Sequence, residues 1–329
     1  MLLILLARLV LVRRLLATHD PSLSAPLPPS LTVEGVEEYL RERDEREAPL
    51  KPGGASNVRW AKGVREQAEV VVVFVHGFSA GVREVDPVDE QMAAKIGATL
   101  LRFRLSAHGI SDLGRAGAAL KVATRDVYLR DIAIAFALAK LLGRRVVLAG
   151  CSTGGSLAVW LAAQPWVGEE LAALVLFAPG FAIAKLGTAV YDCLKWLVLL
   201  LPRAASETVL NTLNGPINRV PVISEEQKTI WTMAYPTSAI RHVIGIYVSI
   251  EVGVKMRRLR LPVLAFANPA DKVVDFGRTK SNLHLMPRGR FESVTDSEMA
   301  HTLTGPLSPS SVDFCASCSA QFLIDNGIR

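Results

Sequence analysis

The sequence is poor in several features that would point to particular protein classes. Among its 329 residues there are four cysteines, and aromatic residues make up only 6%. No disulfide framework is therefore expected. Cys315 and Cys318 form a C-x-x-C pair, but no second pair or histidine cluster accompanies them. Because both share a helical face with Phe322, packing in the core is favoured over a metal or redox site.

The charge pattern offers no nucleic-acid-binding surface. The net charge is +6, but the arginines are interleaved with acidic residues, and no basic run alternates with aromatic residues. Hydrophobic residues make up 50% of the chain and charged residues 21%, which is typical of a globular protein. The length suits one large α/β domain or two small ones.

The N-terminal segment, residues 1–17, is apolar but too broken to cross a membrane. Arg8, Arg13 and Arg14 interrupt it, and its longest uncharged run, residues 1–7, is far below the ~20 residues that span a bilayer. A secretory signal has a positively charged stretch before its apolar run, and this segment has none. An interfacial anchor, a degenerate signal-anchor and a helix packed on the body remain open. Loose membrane association of an otherwise cytoplasmic protein is favoured.

A linker and a helix follow. Residues 18–30 are rich in proline and serine, which predicts a linker. Residues 33–48 are rich in charge, with few apolar positions, and predict an exposed helix. Residues 18–55 therefore precede the main domain.

From Glu69 onward, short apolar runs alternate with helical patterns. The predicted strands are residues 70–75, 99–105, 146–149, 171–178, 261–267 and 290–294. Continuous apolar runs at this spacing predict a mostly parallel sheet with helices on both faces. Residues 181–260 break the rhythm with apolar helical stretches and four prolines, which predicts a helical cap. The α/β core then comprises residues 56–180 and 261–329.

A nucleophile elbow is predicted where the strand at 146–149 meets a helix at 156–163. The sequence between them is Gly150-Cys-Ser152-Thr-Gly154. A side chain on so tight a turn forces the backbone into a strained conformation, so its neighbours two positions away must lack a Cβ. The turn would present Ser152 at the positive end of a helix, where a developing oxyanion is stabilised.

A serine nucleophile needs a base, and the base needs an acid that orients it. Asp271 follows the strand at 261–267, and His301 follows the strand at 290–294. Ser152, Asp271 and His301 therefore occur in the order that accompanies a nucleophile elbow, serine then acid then histidine, each after a strand end. Asp275 is a competing carboxylate, and Asp296 or Glu298 could instead pair locally with His301.

Two backbone N–H groups are candidates for an oxyanion hole. One belongs to Thr153, directly after the nucleophile, and the other to Phe78, in the loop after the strand at 70–75. His76 and His108 also follow strands, but both are interpreted as braces of their loops rather than catalysts.

Five segments together resemble the α/β-hydrolase superfamily, and within it the bacterial monoglyceride-lipase, lysophospholipase and serine-aminopeptidase-like group. They are His76-Gly-Phe78, Arg104-Leu-x-x-His108-Gly109, Gly150-Cys-Ser-Thr-Gly154, Ala270-Asp271-Lys-Val-Val274 and His301. The resemblance implies the α/β-hydrolase fold from about Val70 to the C-terminus. It also implies Ser152 as nucleophile, His301 as base, Asp271 as orienting acid, and Phe78 and Thr153 as oxyanion donors. The chain departs from the family in lacking clear first strands of the usual eight, for which only residues 57–62 are a candidate.

These features predict a serine hydrolase of carboxylic esters that uses no cofactor and no metal. The apolar stretch of the cap, with Leu194, Trp196, Leu197, Leu199 and Leu200, suggests a small-molecule ester with an acyl chain. Packing inside the cap explains that stretch equally well. Acyl transfer, peptide cleavage and a ligand-binding relative with an idle triad remain the alternatives. The sequence does not determine the oligomeric state.

Overall fold

A seven-stranded sheet forms the centre of the molecule. The computed structural model describes residues 27–47, 49–184 and 187–329. The strands of the sheet are β1 (Asn57–Arg59), β2 (Ala68–Val75), β3 (Thr99–Phe103), β4 (Gly143–Cys151), β5 (Leu171–Phe177), β8 (Val263–Ala267) and β9 (Gly289–Ser293). Their order is β1-β3-β2-β4-β5-β8-β9. Every neighbouring pair is parallel except β1 with β3, which is antiparallel.

The helices of the described chain are α1 (Val36–Glu45), α2 (Val88–Lys95), α3 (Leu113–Val122), α4 (Arg125–Leu142), α5 (Thr153–Ala162), α6 (Thr188–Leu200), α7 (Arg203–Asn214), α8 (Glu225–Ile230), α9 (Ile240–Gly253), α10 (Phe276–Leu285) and α11 (Val312–Asp325). The predicted mostly parallel sheet with helices on both faces is confirmed. The predicted leading strand at 57–62 is shortened to β1, which closes one edge of the sheet.

The apolar run of β2 shows why the sheet is covered on both faces. Successive side chains of a strand point to opposite faces. Val71 and Val73 belong to the core cluster that includes α4 and α5, whereas Val72 and Phe74 belong to the cluster with α2 and α11. All four are fully buried. A strand with helices on both sides therefore has no polar face, as the sequence predicted.

Helix α1 differs from the exposed helix expected at residues 33–48. Val36 and Leu40 lie one turn apart and are fully buried in the main core. Asp44, one further turn along, is also buried and accepts hydrogen bonds from the Arg104 guanidinium at 2.9 and 3.1 Å. The sequence predicted an exposed helix because most of its residues are charged and form ion pairs on the opposite face. The buried face is narrow and has only a few apolar residues.

The C-x-x-C pair packs as predicted. Cys315 and Phe322 are buried in the cluster beneath α11, and Cys318 packs against it. All four cysteines of the chain are free thiols. Within the described ranges, no group of three or more His, Cys, Asp or Glu side chains is arranged to hold a metal ion.

Between β5 and β8 the chain leaves the sheet and builds a separate layer. This layer contains α6 to α9 and a two-stranded antiparallel ribbon of β6 (Ile217–Arg219) and β7 (Ala234–Pro236). Helix α9 packs on the elbow helix α5, so the layer lies beside the carboxyl end of β4. Among the described helices, none combines the length and the hydropathy needed to cross a membrane. The predicted membrane-associated segment, residues 1–17, lies outside the described residues, as does most of the predicted linker at 18–30.

Candidate active site

The turn between β4 and α5 is as tight as the glycine spacing predicts. Ser152 has φ 48° and ψ −115°, a left-handed conformation that is costly for a residue with a Cβ. A Cβ on Gly150 would lie 2.6 Å from the backbone of Gly154, and one on Gly154 would lie 2.0 Å from the carbonyl oxygen of Val75. Both positions are thus closed to any other residue, and the close approach joins the elbow to the end of β2.

Ser152, His301 and Asp271 form a chain of hydrogen bonds. His301 Nε2 lies 3.1 Å from Ser152 Oγ, and His301 Nδ1 lies 2.8 Å from Asp271 Oδ2. Asp271 has only an acceptor to offer, so Nδ1 carries the proton and Nε2 is free to accept the serine proton. Burial alone would lower the pKa of His301, but Asp271 and, more weakly, Glu84 favour the charged ring, and the net effect raises this pKa.

Asp271 is held in place by the backbone that follows it. Its Oδ1 accepts hydrogen bonds from the N–H groups of Val273 and Val274 at 2.7 and 3.1 Å. The competing Asp275 instead caps α10, accepting from the N–H of Arg278. Asp275 therefore serves the helix terminus, while Asp271 faces the histidine.

The other acidic residues near His301 in the sequence have other partners, and the Asp296 carboxylate accepts from the Thr295 hydroxyl at 3.4 Å. Glu298 accepts hydrogen bonds from the N–H and hydroxyl of Ser310, and the Asp296 backbone carbonyl accepts from the same hydroxyl. These contacts fold the loop that carries His301 onto the chain just before α11. The carboxylate bound to His301 thus comes from a different strand end.

Two buried histidines brace the loops around the site. His76 Nδ1 donates to the carbonyl of Gly77, and its Nε2 accepts from the N–H of Leu105 at 3.0 Å. His108 Nε2 accepts from the N–H of Ser79, also at 3.0 Å. Burial lowers the pKa of both rings, that of His76 to about 4, so both are neutral near pH 7. Each ring ties the loop after β2 to the loop after β3.

The predicted oxyanion donors lie beside the serine. Phe78 and Thr153 line the same cavity as Ser152 and His301. Thr153 is the first residue of α5, so its N–H has no acceptor within the helix.

This cavity has a volume of about 450 Å³ and lies between the sheet and the α6–α9 layer. Its apolar lining includes Leu194, Leu210, Leu213, Ile240, Val243 and Ile244. Of the five residues of the cap stretch that the sequence singled out, only Leu194 is part of this lining; Trp196 and Leu199 pack against the core instead. Helix α9 contributes four residues to the wall, because its spacing of 240, 243, 244 and 247 places one helical face along the cavity.

Tyr247 forms the end of that wall nearest the serine. Its hydroxyl approaches the side chains of Ser152 and Thr153, and burial raises its pKa to about 12. The hydroxyl also packs on Gly180, where an added Cβ would lie 2.1 Å away. Helix α9 is thereby fixed against the nucleophile turn.

Residues 66–305 match the sequence profile of the family described as "Serine aminopeptidase, S33". The chain belongs to this hydrolase family. The match contains Ser152, Asp271 and His301, and also the two loops that His76 and His108 brace. It excludes α1 and α11.

Solved structures with this fold include lipolytic enzymes. One is a metagenome-derived lipolytic enzyme, LipS or LipT, at 19% identity and a TM-score of 0.61, with 83% of this chain and 99% of that chain covered. The monoglyceride lipase of Saccharomyces cerevisiae has 12% identity and a TM-score of 0.57, with 85% of this chain and 94% of that chain covered. The monoacylglycerol lipase of Paleococcus ferrophilus has 12% identity and a TM-score of 0.56, with 82% of this chain and 98% of that chain covered. At these identities the likeness establishes the α/β-hydrolase fold. A search of curated protein sequences gave no match.

Sequence reasoning missed Tyr247 and also a second residue of the site, Glu84. It is buried, lines the cavity, and accepts a hydrogen bond from the N–H of Gly77 at 2.6 Å. No spacing rule marks this residue, because it lies in the irregular connection between β2 and α2. The sequence offered only an indirect indication, the glycine at position 77. A Cβ there would lie 3.1 Å from Glu84 Oε1 and 3.2 Å from Ser152 Cβ, so a side chain would be crowded.

Proposed function

We propose that this hydrolase cleaves carboxylic esters with apolar acyl chains through a covalent acyl-enzyme. The observation that supports this most directly is the hydrogen-bonded chain of Ser152, His301 and Asp271 at a largely apolar cavity. A serine hydroxyl is a weak nucleophile near pH 7, and a histidine at 3.1 Å can accept its proton as the bond to carbon forms.

The residues support a two-step reaction. Ser152 Oγ attacks the ester carbonyl while His301 Nε2 takes the hydroxyl proton, and Asp271 stabilises the resulting imidazolium. The N–H groups of Phe78 and Thr153 donate to the oxyanion of the tetrahedral intermediate. His301 then protonates the leaving alcohol, and the acyl group stays on Ser152. Water activated by His301 releases the carboxylic acid and restores the serine.

The cavity lining supports an uncharged acyl group rather than a charged amino terminus. Its charged residues are Arg219, Lys272 and the buried Glu84, which accepts a hydrogen bond from the N–H of Gly77 and is only partly ionised near pH 7 because burial raises its pKa to about 7. A peptidase that recognises an α-amino group needs a free carboxylate to pair with it, because an unpaired buried charge is costly. An apolar acyl chain instead gains roughly 25 cal/mol for each Å² of surface that the cavity removes from water.

We expect a fluorophosphonate probe to label the folded protein at Ser152, and turnover of p-nitrophenyl esters to exceed that of aminoacyl p-nitroanilides. Within the ester series, kcat/KM should rise from acetate to octanoate, because the longer chain buries more apolar surface. Labelling is located by mass spectrometry of the tryptic peptide, and turnover is measured by nitrophenol or nitroaniline release. Faster cleavage of the anilides would contradict the ester assignment and favour the peptidase alternative. Absence of labelling would favour a ligand-binding role.

Replacing Asp271 with asparagine should lower kcat/KM for the best ester by about 10³-fold or more, because the amide NH2 can donate to Nδ1 and favour the wrong tautomer, and the neutral amide cannot stabilise the imidazolium. Asp275→Asn is the matched control, since asparagine also caps helices well. The control should retain nearly all activity. Equal losses in the two variants would show that the sequence-based choice between these carboxylates was wrong.

A further inference from the structure

Glu84 lies where three segments of the site meet. Its carboxyl group accepts from the N–H of Gly77, in the loop of the proposed oxyanion donor Phe78. The thiol of Cys151, the last residue of β4, acts on the same carboxyl group and lowers its pKa. A Cβ on Gly305, four residues after His301, would lie 2.6 Å from the Glu84 carbonyl oxygen. One residue thus contacts the oxyanion loop, the nucleophile strand and the histidine loop.

The electrostatic surroundings of Glu84 differ from those of a buried structural acid. Among the residues that the structure describes, most buried carboxylates are paired with arginine, as Asp89 is with Arg102 and Asp44 with Arg104. No arginine or lysine of the described residues forms a salt bridge with Glu84; the cationic group that acts on it is the imidazolium form of His301. Burial raises the pKa of Glu84 to about 7, while Gly77, His301 and Cys151 act in the opposite direction.

We propose that Glu84 is a positioning residue of the active site: its carboxyl group holds the Gly77 end of the oxyanion loop and, when ionised, stabilises the imidazolium form of His301. This inference depends on the proposed ester hydrolysis. The charge on His301 appears only as the serine proton is transferred, so a negative charge held nearby lowers the energy of the transition state more than that of the free enzyme. Asp271 does the same from the Nδ1 side, and Glu84 adds a second, titratable carboxylate.

The proposal implies a specific pH dependence. The groups that face His301 are Asp271, Glu84 and Ser152, and those that face Glu84 are Gly77, Cys151 and His301. Tyr247 approaches Ser152 from α9, but it stays protonated below pH 10 because its pKa is raised to about 12. Burial also raises the pKa of the Cys151 thiol. His301, whose pKa is raised above its usual value, and Glu84, whose pKa is raised to about 7, are therefore the groups near the reacting atoms whose ionisation shapes the pH profile, and their ionisations are coupled.

The proposal predicts that kcat/KM rises with pH in two steps. His301 must be neutral to accept the serine proton, so kcat/KM rises as pH increases through its pKa. Glu84 loses its proton near pH 7 and then favours the imidazolium of the transition state, which adds a second increase. The wild-type profile should therefore show two inflections on its acid side.

The variant Glu84→Gln separates the two roles. A glutamine can still accept from the N–H of Gly77 through its Oε1, but it never carries a charge. We expect kcat/KM about tenfold below the wild type at pH 8.5, with KM little changed, and a profile with a single inflection. Near pH 5.5 the two enzymes should converge, because the wild-type Glu84 is then protonated. Glu90→Gln, which removes an exposed carboxylate at the surface end of α2, is the control and should retain the wild-type profile.

The outcomes distinguish this proposal from the proposed function. If Ser152 is labelled and esters are cleaved, but Glu84→Gln has the wild-type profile scaled by a constant factor, the charge on Glu84 plays no part and the positioning proposal is wrong. If the variant does not fold, the wild-type profile alone decides, because a single inflection contradicts the proposal. If the wild type is neither labelled nor active, both proposals fail together.

Discussion

Ser152→Ala is expected to lower kcat/KM for p-nitrophenyl esters by about 10⁵-fold or more. The remaining residues of a hydrolase triad cannot replace the nucleophile, so the residual rate comes from binding and from the oxyanion donors alone. The variant should fold normally, since alanine meets the same strain at φ 48° that serine already tolerates. Steady-state rates and the thermal melt of the same preparation measure the two effects.

The matched control is Ser156→Ala, on the first turn of α5. The Ser156 hydroxyl donates to the backbone carbonyls of Gly180 and Ser152 and does not contact His301. Its removal should cost about 1 kcal/mol of stability, the usual value of a buried hydrogen bond, while activity stays within about tenfold. Retained ester turnover in Ser152→Ala, with normal folding, would contradict the assignment of the nucleophile.

The sequence allowed the elbow to be predicted because its constraints are local. A residue in a left-handed conformation between a buried strand and a helix requires glycines at two fixed positions, and those glycines can be recognised without knowing the fold. The predicted positions of Asp271 and His301 required one further rule, that the carboxyl ends of parallel strands lie at one edge of the sheet. The hydrogen bonds of 2.8 and 3.1 Å follow that rule.

Contacts that follow neither a local spacing rule nor the alignment of parallel strand ends could not be predicted. Glu84 reaches Gly77 and Cys151 only because the connection after β2 folds back over the end of β4. Likewise, the buried face of α1 depends on Arg104, 60 residues away along the chain. Neither pairing has a periodic pattern, and a buried charged residue looks the same as a solvated one in sequence.

The lining of the cavity could not be predicted from the hydrophobic pattern of the sequence. The apolar stretch at 190–201 predicted a helix, and α6 confirms it. Periodicity shows that a helix has an apolar face, but not which partner covers that face. Helix α6 contributes Leu194 to the cavity, whereas α9, a helix the sequence did not single out, contributes four residues, and α7 contributes Leu210 and Leu213. Any acyl specificity is therefore expected to depend on α7 and α9 more than on α6.

Gly154→Ala should be the most damaging small substitution in the chain. Its Cβ would lie 2.0 Å from the carbonyl oxygen of Val75 and 2.6 Å from that of His76, and both atoms are backbone that cannot rotate away. Either α5 or the end of β2 must move. We expect a loss of about 4 kcal/mol or more in the free energy of unfolding, at the extreme of single substitutions, measured by urea denaturation.

The same substitution tests how the site is assembled. Moving α5 away from β2 would separate the N–H of Thr153 from that of Phe78, so any folded fraction should bind fluorophosphonate slowly. Gly114→Ala is the matched control: in α3 its Cβ would approach only Asp112 Oδ1, at 3.5 Å, and alanine in a helix is favoured over glycine by roughly 0.5–1 kcal/mol. If Gly154→Ala unfolds at the wild-type urea midpoint, the close contact between the elbow and the end of β2 does not exist as described. The assignment of Phe78 and Thr153 as oxyanion donors would then also be wrong.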